Sequence, residues 1–588
     1  MVLLTIFILV FILSLKFINK NLTSSFIRRI TAISFLCAGV LVFNTFYIQS
    51  IGSGIGMYNG LFEISFLSNF FSLFILIISS LILLIWPNIN ILFKSLGLIK
   101  SVDNNLGTGK ETNDFKENYN NVSNKDKAKE YSLIVLFNIL GALLLITSSD
   151  LISIYLSIEL QSFGVYILTS IYKNRASSTS AGLKYFLLGG LSSCIILLGS
   201  GLIYTYTGLT NLDLIFTILS IYSKSSISDT QGVGIGLTLV FIGFMFKIAA
   251  APFHNWSIDV YDDSPTLVTV WLTVMPKISI LIFLLQVLIG MDIYLNLMEI
   301  VQYSTSVNVL SNLLLLSSLF SLIIGAVVGL SQIKIKRLLA YSTINHVGFL
   351  LLALSVFSSS TSNFSQSVES FIFYIIQYTL TNLNIFLIIL ALSYIINKKL
   401  DISFNKNNGA NYAVISRTVN INISDMEYIN SLKGLFFNNP ILSLSLSLCL
   451  FSFAGVPPLI GFFAKQQVLY SSNSAGYFFL SLTAILVSVI SAFYYLKIIK
   501  TVFSLPSLQD SNLTNKNGNL TLAEGDSNVI INNLKDTTNL NPLAPELQIN
   551  SNIFSLLKTQ ALLLSNVHSL LIGVLTVFIS VFIFNPEL

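Results

Sequence analysis

Apolar runs long enough to cross a lipid bilayer recur along this chain, and they constrain its fold more than any other feature. A helix needs about 20 apolar residues to span the hydrocarbon layer, and about 14 such runs are present. They lie at about 2–19, 29–49, 61–86, 131–149, 151–172, 182–207, 233–251, 266–291, 305–330, 338–357, 368–396, 440–470, 474–503 and 560–584. Only 10% of the residues are charged, whereas soluble domains carry roughly a quarter. The sequence therefore predicts an all-α, polytopic membrane protein.

The distribution of lysine and arginine supports this helix count. When the N-terminus is placed outside and the loops alternate, 26 of the 31 basic residues fall in inner loops. One, Lys224, falls in an outer loop, and the remaining four lie within spans. An excess of basic residues in inner loops is the positive-inside pattern of membrane proteins. We therefore expect both termini on the outer side.

Three polar segments separate the apolar regions. The segments at about 87–130, 397–439 and 504–559 are rich in Asn, Lys, Asp and Ser, and this composition is typical of solvated loops on the inner side. The predicted organisation is an N-terminal three-helix segment (1–86), a polar loop (87–130), a first repeat (131–291), a second repeat (305–503, with the polar loop 397–439), a polar loop (504–559) and a C-terminal helix (560–588).

Four ionisable side chains stand inside predicted helices: Glu159, Lys247, Lys277 and Lys465. A charged side chain at membrane depth costs several kcal/mol, with estimates from about 2.5 to above 10 kcal/mol. Packing alone explains such residues poorly. We interpret them as parts of an ion or proton path through the membrane.

Prolines interrupt two of the predicted helices. Pro252 lies at the end of the seventh span, and Pro457 and Pro458 lie within the twelfth. Proline removes a helical hydrogen bond, and the freed backbone must be satisfied by protein or by a water-filled cavity. Interrupted helices at corresponding places in two halves are typical of transporters with inverted repeats. We expect two inverted five-helix repeats, helices 4–8 and 9–13, with helices 7 and 12 discontinuous.

A proton path needs groups that change charge. Glu159 and Lys247 are the natural ion pair, and the making and breaking of this pair would act as a switch. Desolvation and neighbouring charges can lower the pKa of a lysine until it exchanges protons. Histidine titrates near neutral pH, so that His254 and His346 are candidate relay groups.

Each of these residues also has a structural interpretation. Glu159, Lys277 and Lys465 would then serve structure alone, His254 would cap the broken helix and His346 would be a hydrogen-bonded core residue. The other polar residues of the spans have simpler interpretations. We expect Lys184 to reach along its helix to the interface and His568 to be structural. We expect Asp259, Asp262 and Asp263 to cap the next helix or to balance inner-side lysines.

The chain carries no sequence signature of a cofactor site. The three cysteines, Cys37, Cys194 and Cys449, stand singly in apolar runs, and no phosphate-cradling glycine loop, CxxC pair or haem-type histidine pair occurs. We therefore expect no nucleotide, flavin, iron–sulfur cluster, haem or metal in this chain. Within a redox machine, it would not be the redox part.

Three motifs resemble the antiporter-like membrane subunits of respiratory NADH dehydrogenase, complex I. They are APFHNWSIDVYDDSPTLVTVWLTVMPK (251–277), KRLLAYSTINHVGFLLL (336–352) and FSFAGVPPLIGFFAKQQVL (451–469). The resemblance covers about 159–500, with the motifs in the family's order. Lysine at position 465 favours one branch of the family over the branch with glutamate there. The sequence departs from the family in its polar inserts and in Asp262–Asp263, where Glu-Gly is frequent.

The resemblance implies a function and roles for the site residues. The chain would be a core membrane-arm subunit of a H⁺-translocating NADH:ubiquinone oxidoreductase and would conduct protons along a buried Glu/Lys/His/water axis. Glu159 and Lys247 would form the switching pair, Lys277 the mid-membrane relay and Lys465 the terminal lysine. The two candidate histidines would be polar linkers in that axis.

The resemblance also implies surroundings, and alternatives stay open. NAD, FMN, iron–sulfur clusters and ubiquinone would be bound by other subunits. The partners would be neighbouring antiporter-like subunits, accessory subunits and phospholipids of the mitochondrial inner membrane, with both termini in the intermembrane space. A cation/proton antiporter subunit of the Mrp type shares the fold and the lysines. A scaffold of the membrane arm that conducts nothing is the third possibility.

Overall fold

The computed structural model describes most of the predicted membrane part. The described residues are 4, 5, 7, 8, 24–48, 54–85, 127–172, 175–222, 227–297, 305–357, 364–406, 426–504 and 566–582. Most of the first predicted helix and of the polar loops 87–130 and 504–559, together with residues 407–425 of the loop 397–439, lie outside the described residues.

The described chain is built from helices and one small hairpin. In chain order these elements are α1 (Ser24–Thr45), β1 (Ile55–Met57), β2 (Phe62–Ile64), α2 (Phe66–Ile85), α3 (Lys127–Thr147), α4 (Leu151–Thr169), α5 (Ala176–Thr207), α6 (Leu212–Tyr222), α7 (Ile227–Ile248), α8 (Asn255–Asp263), α9 (Thr266–Leu297), α10 (Thr305–Leu330), α11 (Ile335–Phe357), α12 (Phe364–Lys406), α13 (Leu435–Asn438), α14 (Pro440–Ala454), α15 (Ile460–Ser474), α16 (Phe478–Phe503) and α17 (Asn566–Val581). A short 3₁₀ helix at Ile429–Leu432 precedes α13.

The helices have the length and composition of membrane spans. Within the described ranges, 10 helices are long and apolar enough to cross a bilayer. Three shorter apolar helices, Tyr131–Thr147, Pro440–Ala454 and Asn566–Val581, accompany them. The prediction of a polytopic helical membrane protein is therefore confirmed, whereas the exact count of fourteen spans and the two inverted repeats stay predictions.

The third span begins later than its apolar run suggests. The run starts at about residue 61, but 62–64 pair with 55–57 as an antiparallel hairpin, and the helix begins at Phe66. Ser65 sets this boundary, because its hydroxyl accepts the amide proton of Ser68 and the Ser68 hydroxyl accepts that of Ser65. Hydrophobicity alone does not separate a short apolar strand from the first turn of a helix.

A set of hydrogen bonds that we did not predict joins this hairpin to α4 and α6. The Asn211 side chain accepts the amide proton of Asp213 and thereby caps the short helix α6. The Ser149 hydroxyl donates to the carbonyl oxygen of Gly60 at 2.6 Å, and the Thr210 hydroxyl donates to Asp150 Oδ2 at 2.9 Å. The hairpin, the α3–α4 turn and the start of α6 are thus held together by hydrogen bonds.

Two helices are interrupted where the prolines predicted it. The seventh predicted span continues from α7 through a turn at 249–254 into α8, and the twelfth from α14 through 455–459 into α15. Ala249 and Gly455 end their helices in the left-handed conformation, with φ of 63° and 84°. Pro276, in contrast, lies inside the continuous helix α9.

The core of the bundle lies around α9, α11 and α12. The span of α11 is entirely enclosed and those of α9 and α12 nearly so, whereas less than half of each span of α5, α10 and α16 is buried. α11 packs against α8, α10, α12 and α15, and α12 packs against α9, α14, α15 and α17. Polar side chains on α9 and α11 are therefore shielded from lipid.

Candidate functional site

The first part of the site is an ion pair at the break between α7 and α8. Lys247 lies in the last turn of α7, and its Nζ is 3.0 Å from Oε1 of Glu159 on α4. The Ser162 hydroxyl lies 3.4 Å from the other carboxylate oxygen. Both charged side chains are mostly buried, so that their attraction is screened far less than that of a surface pair. The structure thus brings together the two residues that the sequence analysis paired.

Helix α8 is tied back across this break by a tryptophan. Trp256 donates from Nε1 to the carbonyl oxygen of Phe246 at 3.0 Å, next to Lys247 in the chain. Its ring stacks on Tyr185 of α5, with ring centroids 4.7 Å apart and an interplanar angle of 14°. The hydrogen bond satisfies a carbonyl group at the end of α7, where the chain cannot continue the helix.

The second part of the site surrounds Lys277 on α9. This side chain is buried, and its Nζ donates to Oγ1 of Thr343 on α11 at 3.0 Å. The ammonium also lies 5.6 Å from the centre of the Tyr261 ring on α8, within the range of a cation–π contact. Among the described residues, no carboxylate lies within salt-bridge distance of Lys277. A hydroxyl and a ring, rather than a counter-ion, surround this amine.

A buried tyrosine supports the helix turn that precedes Lys277. Tyr378 of α12 donates to the carbonyl oxygen of Thr273 at 3.2 Å, one turn before Lys277. Asn382 in turn donates to the Tyr378 hydroxyl at 3.3 Å. A proline inside a helix disturbs the backbone hydrogen bonds of the preceding turn. Tyr378 therefore supplies an external donor where Pro276 weakens the helix.

The third part of the site is His346, one turn beyond Thr343 on α11. Its Nδ1 lies 2.8 Å from the Tyr374 hydroxyl, and its Nε2 lies 3.4 Å from the Tyr495 hydroxyl. The Phe453 ring packs against the imidazole, with ring centroids 4.4 Å apart. Both ring nitrogens thus face hydroxyl groups, each of which can donate or accept a proton in a hydrogen bond.

The fourth part of the site is Lys465 at the second break. Its Nζ donates to the carbonyl oxygens of Phe453 and Ala454 at 2.8 and 3.0 Å. These carbonyls end α14, where the helix dipole also favours a positive charge. The ammonium lies 5.6 Å from the centre of the Phe349 ring on α11. The lysine therefore occupies a site that the interrupted helix creates.

One face of α11 connects these parts. Thr343, His346 and Phe349 follow one another at intervals of three residues and therefore lie on the same side of the helix. Thr343 contacts Lys277 and Phe349 contacts Lys465, so that His346 lies between the two lysines along this face.

His254 stands apart from this line. It occupies the N-cap position of α8, but its side chain makes no capping hydrogen bond, and Nδ1 lies 3.2 Å from the carbonyl oxygen of Pro252. His254 therefore occupies the cap position that the structural interpretation expected, but its side chain does not cap α8. His568 lies at the other end of the fold, with Nε2 3.0 Å from the carbonyl oxygen of Leu387, as a structural histidine would.

Two of the three acidic residues of α8, Asp259 and Asp262, form salt bridges with basic side chains. Asp259 pairs with Lys184 at 2.8 Å, so that Lys184 has a specific partner and does more than reach the interface. Asp262 pairs with Lys334 at 2.9 Å and with Arg337 at 2.8 Å. These pairs fit the expectation that the carboxylates balance inner-side basic residues.

Sequence reasoning missed the uncharged groups of the site. Tyr261, Thr343 and Tyr374 contact predicted site residues, and Trp256 and Tyr378 donate to backbone carbonyl groups near them. None of the five is unusual in a membrane helix. The position of Thr343, three residues before His346, was the only signal in the sequence for that residue. Within the described ranges, no group of three or more His, Cys, Asp or Glu side chains could hold a metal ion.

The fold and site define a class of protein: helical membrane proteins with two interrupted helices and lysines buried at the breaks. The family described as "NADH:quinone oxidoreductase/Mrp antiporter, TM" matches residues 148–491. This match covers more than half of the sequence. The chain therefore belongs to this family of transmembrane antiporter-like subunits.

Curated relatives support this membership. "NADH-ubiquinone oxidoreductase chain 2" of Rhizopus oryzae is 44% identical over 501 residues, which are 84% of each chain. "NADH-quinone oxidoreductase subunit N" of Pelagibacter ubique is 32% identical over 498 residues, 84% of this chain and 87% of the relative.

Solved structures share the fold at lower identity. A chain of the respiratory complex I from Thermus thermophilus matches with a TM-score of 0.59 and 24% identity, covering 86% of this chain and 90% of its own. A chain of the Mrp complex from Dietzia matches with a TM-score of 0.64 and 16% identity, covering 99% of this chain and 94% of its own.

Proposed function

We propose that this chain is the chain 2 subunit of a proton-translocating NADH:ubiquinone oxidoreductase and conducts protons through the membrane arm. The observation that carries the proposal is the series of buried groups formed by the Glu159–Lys247 pair, Lys277 and Lys465, of which one face of α11 links Lys277 to Lys465. Buried ionisable residues inside membrane helices mark ion and proton pathways. The relatives named chain 2 and subunit N support the assignment to this enzyme.

The proposed mechanism is electrostatic. A charge change at one end of the subunit breaks the Glu159–Lys247 pair, and the freed Lys247 ammonium then repels a proton on Lys277. The Lys277 proton moves toward His346, which exchanges it with the Lys465 end through its two hydroxyl-bonded nitrogens and intervening water. Repulsion between unit charges extends over several ångströms in a poorly solvated interior. His254 is a polar linker near the first break in this scheme.

The wider organisation is part of the proposal. Residues 131–291 and 305–503 form the two inverted antiporter-like repeats, and both termini lie in the intermembrane space of a mitochondrial inner membrane. NAD, FMN, iron–sulfur clusters and ubiquinone are bound by other subunits, and this chain contributes translocation to the enzyme rather than a redox centre. Neighbouring antiporter-like subunits, accessory subunits and phospholipids surround it.

Two alternatives to this function, an antiporter and a scaffold, predict different experimental results. An Mrp-type cation/proton antiporter is supported by the family description, which names both kinds of protein, and by the structural match to the Mrp complex, which at 16% identity concerns the fold. A non-conducting scaffold has no use for buried lysines at broken helices. Solubilisation in mild detergent followed by a native gel and an NADH:quinone activity assay separates the respiratory subunit from the antiporter. We expect activity in a very large assembly; a small assembly with sodium-dependent proton flux and no NADH activity would favour the antiporter.

A substitution then tests conduction itself. Lys277→Ala removes the amine that contacts Thr343 and Tyr261, and we expect it to abolish most proton pumping and coupled NADH oxidation while the complex still assembles. Normal pumping by an assembled Lys277→Ala enzyme would contradict the relay role. Loss of assembly from several lysine substitutions, with normal pumping by what remains, would favour the scaffold.

A further inference from the structure

The short helix α8 contacts the surroundings of two of the proposed proton-carrying lysines. At one end, Trp256 donates to the carbonyl oxygen of Phe246, the residue next to Lys247. At the other end, the Tyr261 ring lies 5.6 Å from the Lys277 ammonium. Trp256 and Tyr261 are both buried, and their rings touch edge to face with centroids 6.4 Å apart. The helix therefore forms a packed connection between the two sites.

The far end of α8 is fastened to the start of α11 by charges. The Asp262 carboxylate lies 2.9 Å from Lys334 Nζ and 2.8 Å from Arg337 Nε. One residue beyond α8, the carbonyl oxygen of Ser264 accepts from Lys336 Nζ at 2.8 Å. Three basic residues at the beginning of α11 thus hold the end of α8.

Asp262 is the most buried acidic residue of this attachment. Its side chain is only 4% exposed, whereas that of Asp259, which pairs with Lys184 and Arg337, is 42% exposed. Exposed salt bridges contribute little, whereas the buried Asp262 carboxylate is shielded from water and depends on Lys334 and Arg337 for its hydrogen bonds. Charge at position 262 therefore matters more than charge at position 259.

The basic segment is itself held in place from its other side. The amide of Ile335 donates to the carbonyl oxygen of Glu427 at 2.9 Å, and the amide of Ile429 donates to that of Ile333 at 3.1 Å. This pairing fixes the backbone on both sides of Lys334. Asp262 is consequently attached to an anchored segment rather than to a free loop.

These contacts close a ring. α11 holds the end of α8 through Asp262, and the same helix holds Lys277 through Thr343. Tyr261 and Thr343 thereby contact one ammonium group from two different helices. A shift of Lys247 and the end of α7 would move Trp256, and with it the position of Tyr261 against Lys277.

We propose that α8 is the link that couples the Glu159–Lys247 pair to Lys277, and that Asp262 is the positioning residue that fixes this link to α11. The inference rests on the proposed function, since it assigns a part in proton pumping. It adds a route through packing to the electrostatic route. Asp262 contacts no proton carrier itself and acts only by holding Tyr261 in place.

The test compares variants in the assembled, membrane-reconstituted enzyme. Asp262→Asn removes the charge with almost no change in shape, and Asp262→Glu restores it. Asp263→Asn is the matched control, because Asp263 makes no salt bridge with the residues that the structure describes. The measured quantities are the amount of assembled enzyme on a native gel and the number of protons pumped per NADH oxidised.

We expect Asp262→Asn to lower the protons pumped per NADH about fivefold, the lower end of typical coupling between linked sites. Asp262→Glu should recover most of this loss, and Asp263→Asn should behave as the unaltered enzyme does. A purely structural role would reduce the amount of assembled enzyme and leave the protons per NADH unchanged, and that result would overturn the proposal.

A second variant tests the link through α8 if the Asp262→Asn enzyme fails to assemble. Trp256→Phe removes the indole N–H that reaches Phe246 but keeps an aromatic ring. We expect Trp256→Phe to lower the number of protons pumped per NADH. If Asp262→Asn assembles, the double variant should lose less than the sum of the two single effects, because both substitutions act on one link. Normal pumping by Trp256→Phe would overturn the link.

Lys277→Ala separates failure of the link from failure of the proposed function. Normal pumping by assembled Asp262→Asn together with impaired pumping by Lys277→Ala would reject the link alone. Normal pumping by both variants would reject conduction through Lys277 as well.

Discussion

Lys277 and Thr343 are joined by a hydrogen bond of 3.0 Å between Nζ and Oγ1, which links α9 to α11 in the most enclosed part of the bundle. The threonine hydroxyl donates in turn to the carbonyl oxygen of Ala340 at 2.8 Å. Because this hydroxyl is already used as a donor toward its own helix, its lone pairs face the ammonium group. Thr343 thus gives the Lys277 ammonium a hydrogen-bond acceptor without supplying a charge.

Thr343→Val tests this contact. Valine has nearly the same shape but cannot accept a hydrogen bond, and a hydrogen bond to a charged group is worth about 1.5–3 kcal/mol. We expect slower proton pumping in a fully assembled complex. The control is Thr379→Val, because the Thr379 hydroxyl donates only to its own helix, at the carbonyl oxygen of Ile376. Equal pumping by the two variants would show that Thr343 has no special role.

Glu159→Gln removes the charge that balances Lys247. Breaking a buried ion pair by changing one partner costs about 3–5 kcal/mol, because the other charge stays buried without compensation. We expect Lys247 to lose its proton or to move away, and proton pumping to fall by most of its value. NADH oxidation by detached parts of the enzyme should continue. Proton uptake by reconstituted vesicles measures the effect, with exposed Glu369→Gln as the control. A Glu159→Gln enzyme that pumps at the unaltered rate would exclude the switching role.

The spans and the charged residues of the site could be predicted from the sequence because both leave strong signals. Apolar runs of membrane length are rare in soluble domains, and lysines inside such runs are too costly to occur without a partner or a function. The prolines predicted both interruptions correctly, since Pro252 and the pair Pro457–Pro458 lie within the turns that separate the half-helices. Pro276 shows the limit of that signal, because the neighbouring helix α12 supports its turn and α9 continues.

The supporting contacts could not be predicted, because they depend on packing between distant segments. Tyr378 and Thr273 are separated by 105 positions, and Lys277 and Thr343 by 66. Nothing in the local pattern of either segment indicates its partner. The hairpin at 55–64 was missed for a different reason: its strands are three residues long and one adjoins an apolar helix.

Glu63 gives the stability of the β1–β2 hairpin a dependence on pH. Burial, and then the nearby Asp213 carboxylate, raise the pKa of Glu63 above its usual value of 4.5. A carboxyl group whose pKa is raised on folding binds its proton more tightly in the folded state, so that folding is favoured at low pH and destabilised as the pH rises above about 4.5. We expect amide protection in the hairpin to fall over this range and Glu63→Gln to remove most of the change. Hydrogen exchange of the hairpin amides, corrected for its intrinsic pH dependence, measures this protection. If the protection falls with pH as steeply in Glu63→Gln as in the unaltered protein, the effect belongs to another group.

Gly455→Ala tests whether the second break must hold Lys465 in one position. Gly455 ends α14 with φ of 84°, and a Cβ atom there would lie 3.0 Å from Cδ of Lys465 and 3.4 Å from its Nζ. The left-handed conformation alone costs alanine about 1–2 kcal/mol. Gly476→Ala separates the two effects, because Gly476 has φ of 85° and open space around its Cβ position. We expect both variants to lose similar stability on heating, but only Gly455→Ala to slow proton pumping, since only there is the ammonium pushed away from the carbonyl oxygens of Phe453 and Ala454. Equal pumping by the two variants would show that Lys465 tolerates displacement, and its hydrogen bonds to α14 would then serve the helix end alone.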